Sequence, residues 1–123
     1  MHLDDYTCAL CSSGYEETCF HLFFECPFSK ICWQSLSIDW NLQIPPLDMV
    51  IEARNAFGSS VFIEIVITAC WIIWTTRNRV IFYGESFTLD RWLINFRKGV
   101  SLVCIKAKAS VKILLEFWLE NIS

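Results

Sequence analysis

Hydrophobic and polar positions along this chain follow a helical rhythm. From Trp92 the apolar residues Phe96, Val100, Val103, Ala107, Val111, Leu114 and Trp118 recur at steps of three and four, which is one face of a helix. The pattern predicts a long helix from Thr88, with Asp90 in its first turn, toward Asn121; no proline and only Gly99 interrupt it. Upstream, Gly58-Ser59-Ser60 offers a serine cap, and Tyr83-Gly84 offers a left-handed exit for a second long helix. Glu64 near its start and Arg77 and Arg79 near its end follow the helix dipole. Val61, Ile65, Thr68, Trp71 and Ile72 share one broad side, and Ile63, Val66, Ile67, Cys70 and Trp74 cover the rest. A helix apolar nearly all round is expected to be central and buried. Its β-branched residues admit one alternative, a strand over Val61–Thr68 followed by a helix.

Shorter helices precede these two. One is predicted to open at Pro27, a favoured first helical position, and to run to about Leu36. Pro45-Pro46 breaks the chain, and a second helix is predicted over Leu47–Phe57. The first 26 residues differ in kind: they are polar and rich in cysteine, with turn residues at Ser12-Ser13-Gly14. The expected fold is therefore mainly α, an N-terminal module followed by short helices and two long ones. Residues 1–36 are expected to form the module, with 37–123 packed on it as one domain.

Composition narrows the function classes. The chain has 123 residues, 54% hydrophobic and 19% charged, which excludes intrinsic disorder. The net charge of −3 conceals a division. Residues 1–60 hold eight acids against two bases, and residues 61–123 hold five acids against eight bases. Any polyanion contact is thus expected in the second half. The polar, acidic N-terminus does not read as a signal peptide, so the seven cysteines are expected in a reducing intracellular compartment. The most apolar stretch, Val61 to Trp74, is interrupted by Glu64 and falls short of the roughly 20 residues that cross a bilayer, so a membrane span is not expected.

Candidate chemistry lies in Cys8-x2-Cys11-x9-His21-x4-Cys26. Thiolates and a neutral imidazole are the donors that zinc takes in a tetrahedron, and a full set of four closes the shell to water, so the ion would be structural. Three thiolates on Zn²⁺ leave a net charge of −1, so the ion does not attract phosphate to the acidic half. His21 and Cys26 are five apart, about 140° around an ideal helix, so the helix must break between them and Pro27. Cys19 is an alternative fourth ligand, Cys32 a spare, and His2 an expected non-ligand. No phosphate-binding glycine loop, HExxH or GxSxG is present. Leu3-Asp4-Asp5 lacks the flanking aromatic of a polymerase motif, and no enzyme is expected.

The string from Glu17 through Cys26-Pro27 to Trp33, preceded by Cys8-Ala9-Leu10-Cys11, resembles the zinc-binding domain that follows the reverse transcriptase in plant non-LTR retrotransposons. Trp71-x-x-Trp74-x-x-Arg77-Asn78-x-x-x-Phe82 resembles the segment that commonly follows it, so the likeness covers about residues 6–83. The resemblance implies zinc on Cys8, Cys11, His21 and Cys26. It implies a stand-alone, non-catalytic accessory module, with RNA, DNA or a reverse-transcriptase polymerase domain as partner.

Two basic surfaces are candidates for weak nucleic-acid contact. One is Arg77 and Arg79 beside Trp71 and Trp74, although tryptophans at i, i+3 are more often core. The other is the side of the last helix bearing Arg91, Arg97, Lys98, Lys108 and Lys112, although such residues are more often a solvated face. The alternative function is a helical protein-interaction or membrane-associated module without nucleic-acid binding, whose apolar helices also admit self-association.

Overall fold

The computed structural model describes residues 8–11 and 18–122. His2, Leu3-Asp4-Asp5 and Ser12-Ser13-Gly14 lie outside these residues. Among the described residues the secondary structure is entirely helical, and the strand alternative over Val61–Thr68 is not adopted. A π-helical turn over His21–Glu25 leads into α1 (Pro27–Ser35), followed by α2 (Pro46–Phe57), α3 (Phe62–Tyr83), α4 (Leu89–Lys106) and α5 (Ala109–Asn121).

Local chemistry explains most boundaries. Pro27 and Pro46 occupy the first positions of α1 and α2, where a missing N–H costs nothing. Gly58 and Gly84 end α2 and α3 with φ of 72° and 63°, the left-handed conformation that glycine adopts freely. Thr88 caps α4 by accepting a hydrogen bond from the Arg91 N–H at 3.2 Å. α3 starts slightly later than the serines suggest: Val61 is its cap residue, and Ser59 Oγ accepts only from the Val61 N–H at 3.4 Å.

The predicted final helix is two helices. Ala107 and Lys108 take extended backbone with ψ of 155° and 152°, and α5 folds back beside α4. Arg97 donates to the Leu119 carbonyl at 3.3 Å, across a separation that would be about 33 Å in a straight helix. Trp118 meets the rings of Phe96 and Phe57. The return places Leu115 in the core, whereas Leu114 of the predicted stripe stays exposed. Neither glycine nor proline marks the break.

α3 and α4 pack antiparallel as the central hairpin, crossing closely at Gly99, where a Cβ would stand 2.9 Å from Thr68 Cγ2. One hydrophobic cluster runs from Cys8, Leu10 and Leu22 through Trp33, Phe62, Ile65, Ile73 and Phe96 to Leu115. α3 is not buried all round. Phe62, Ile65, Thr68, Ala69, Ile72 and Ile73 face the core, while Ile63, Ile67 and both Trp71 and Trp74 face out. The small bundle has too few helices to cover its most apolar element. By length and composition α3 alone, among the described residues, is apolar enough to cross a membrane.

Candidate metal centre

Four donor atoms converge beneath the N-terminal segment. One ligand atom each from Cys8, Cys11, His21 and Cys26 lies within 4.8 Å of the others. Cys8 Sγ and Cys26 Sγ are 3.8 Å apart, and Cys11 Sγ and His21 Nε2 are 3.4 Å apart. Cys8, His21 and Cys26 are buried and Cys11 is half-buried, so the cluster is closed on most sides. Cys19, the alternative ligand, is exposed and outside the cluster; Cys32 is buried beside it.

The π-helical turn resolves the spacing of His21 and Cys26. The Cys26 N–H donates to the His21 carbonyl at 2.7 Å, an i→i+5 bond that stacks Cys26 one wide turn above His21. Cys26 then leaves helical geometry, with ψ of 129°, and its sulfur turns back toward the imidazole. The anticipated break is thus a widened turn followed by one extended residue. Pro27 is its local cause. An ordinary helix would satisfy the Phe23 carbonyl with the N–H four residues on, which proline lacks.

The carbonyls freed by this turn find side-chain donors. The Ser29 hydroxyl donates to the Leu22 carbonyl, and Trp33 Nε1 donates to the Phe23 carbonyl at 2.6 Å. Both donors belong to α1 and both residues are buried, so α1 is braced against the turn that carries two ligands. Upstream, Thr18 Oγ1 accepts from the His21 N–H at 3.0 Å. Glu25 Oε1 stands 3.9 Å from His21 Nδ1, placing a carboxylate on the ring face away from the cluster. Ser29, Trp33, Thr18 and Glu25 were not singled out from the sequence; the unsatisfied carbonyl before Pro27 is the signal that points to the first two.

The electrostatics suit bound anionic sulfur. Cys26 is held down to about 5, first by the hydrogen bond from Cys8 and then by the Ser29 and Phe28 backbone N–H groups at the start of α1, against the opposing effect of burial. The hydrogen bond to Cys26, with burial, pushes the Cys8 thiol up. Burial and the neighbouring Cys26 push Cys32 up as well, and burial pushes Cys70 up to about 11, so both remain inert thiols. A closed Cys3His set of this geometry is compatible with a structural metal site.

The basic candidates do not form one surface. Arg77 lies over the Trp74 ring at 4.9 Å and donates to Asn78. Arg97 is engaged with Leu119, Lys112 pairs with Glu116 at 4.0 Å, and Lys108 sits at the start of α5. Arg79 and Lys98 instead converge with Arg91 around a hollow of about 240 Å³ between the end of α3 and the start of α4. No family model, curated protein or solved structure matches the chain.

Proposed function

We propose that this protein is a non-catalytic zinc-binding module in which Zn²⁺, held by Cys8, Cys11, His21 and Cys26, organises the chain's opening segment. The convergence of those four donor atoms within 4.8 Å carries the reading. Zn–S bonds of about 2.3 Å at tetrahedral angles put sulfurs about 3.8 Å apart, and a Zn–N bond of about 2.0 Å gives an S···N edge near 3.5 Å. The separations of 3.8 and 3.4 Å match. Zinc would supply folding free energy here and no reaction chemistry. Residues 1–36 form the zinc module, and residues 37–123 pack with it as one domain.

The resemblance in the zinc ligands and in the Trp71–Phe82 segment supports a role like that of the zinc-binding domain beside plant retrotransposon reverse transcriptases, in an intracellular, reducing compartment. Such a module docks a polymerase domain or contacts RNA or DNA weakly. Metal analysis of purified protein tests the first step: about one zinc per chain is expected, lost in Cys8→Ser and Cys26→Ser. Mobility shifts of labelled single-stranded RNA across a salt series test the second. Phosphate contact requires binding that falls steeply with salt; salt-indifferent or absent binding removes the nucleic-acid role and leaves the zinc role standing. The exposed apolar side of α3 favours a second reading, a protein-interaction module.

A further inference from the structure

α3 and α4 leave an open groove of about 410 Å³ along their outer side. Its floor is Thr68, Ile72 and Gly99, and its rims carry Ile67 and Trp71 on α3 and Leu102 on α4. These three rim side chains are 63%, 61% and 66% exposed. Three large apolar side chains that face solvent along one groove make it a candidate contact surface. At one end the groove runs into the cationic hollow: Arg79 and Lys98 line both, and Arg91 adds a third base against one carboxylate, Glu85. Among the described residues, neither Arg79 nor Lys98 makes a side-chain hydrogen bond or ion pair. A concave apolar trough with a basic end fits a helix that is apolar along one edge and acidic along the next.

The chain itself carries such a helix. α2 packs inward through Met49 and Ala53. Its outward face presents Leu47 and Ile51, 72% and 49% exposed at i, i+4 spacing. Asp48 and Glu52, both exposed, form a parallel acidic edge beside them. Laid across the groove, α2 can turn its apolar edge to Ile67 and Trp71 and its neighbouring acidic edge toward the basic end. The outward face of α2 points away from its own core, so it reaches a groove only on another molecule.

We propose that α2 of a second copy of this chain seats in the α3–α4 groove. Leu47 and Ile51 lie against Ile67, Trp71 and Leu102, and Asp48 and Glu52 lie against Arg79 and Lys98. This names the partner for the protein-interaction reading and rests on it; it does not depend on what the metal is. The groove and the donor helix are different surfaces of one chain, so each can be disabled separately.

The test is sedimentation velocity on the metal-loaded full chain, parent and two charge-reversed variants, Arg79→Glu/Lys98→Glu and Asp48→Lys/Glu52→Lys. All four positions are exposed, and circular dichroism with metal content checks each fold. The parent is expected to associate with concentration, and each variant alone to need at least tenfold more protein to do so. An equimolar mixture of the two variants is expected to form heterodimers in which the reversed surfaces meet. A parent that stays monomeric, variants that associate like the parent, or a mixture no better than its components would each overturn the proposal. So would loss of association in Trp71→Ser with none in the charge variants, which would put a different occupant in the groove. Zinc content measured on the same samples reads the metal site separately.

Discussion

Two regions of this molecule are held by different physics. Around the candidate metal centre a handful of atoms decide the geometry: four donors within 4.8 Å, a Ser29 hydroxyl and a Trp33 indole, each with a direction to satisfy. The α3–α4 hairpin is held by area. Ile65, Ile73, Phe96 and Val100 are fully buried with no directional partner, and the cost of moving any one of them is spread over many contacts. Directional sites are brittle and specific. Apolar packing is forgiving, and it leaves whatever the fold cannot cover, here Ile67 and Trp71, facing out.

The contrast is open to attack by perturbations of decreasing size. Cys26→Ser, or chelation of the parent, is expected to have the largest effect, since structural zinc contributes on the order of 10 kcal/mol in small metal-folded domains. Hydrogen exchange should show residues 18–26 losing protection while α3 and α4 retain theirs; collapse of both regions together would erase the distinction. Acidification is expected to act in the same direction, because thiolate and imidazole ligands must be deprotonated to hold the ion. Phe96→Ala, between Trp92 and Trp118, should cost about 3–5 kcal/mol in denaturant unfolding and leave metal stoichiometry at one. Gly99→Val drives a branched side chain into Thr68 and should cost about 2 kcal/mol. Ser29→Ala leaves the buried Leu22 carbonyl unpaired, about 1–2 kcal/mol by unfolding. It should also weaken zinc by about tenfold in a chelator competition, as lost supporting groups commonly do. An unchanged zinc affinity in that variant would mean that the π-helical turn needs no brace.

Those perturbations probe features that differ in how far the chain alone reveals them. The four donors were legible from spacing and residue type, because few chemistries need two cysteines, a histidine and a cysteine in that order. The start at Pro27 and the exit at Gly84 were legible because proline and glycine restrict the backbone whatever surrounds them; the second short helix was expected only from Leu47, after a proline break, and Pro46 instead takes its first position with Gly58 as its left-handed exit. His21 was preferred to Cys19 on the chain, and the fold separates them physically: His21 is buried in the cluster and Cys19 is exposed.

What the chain determined by itself is local: where helices can start, where they must stop, and which side chains can grip a metal. Tertiary structure decided the rest. It broke the last helix at Ala107 and Lys108, with no residue there to announce it, because only a returning α5 brings Leu115 and Trp118 onto the core. It left one side of α3 bare, because the few helices packed around it cannot surround it. It gathered Arg79, Arg91 and Lys98 from two helices while dispersing Arg97 and Lys112. Periodicity fixes the face of one helix, but which faces meet depends on how all of them share a single core.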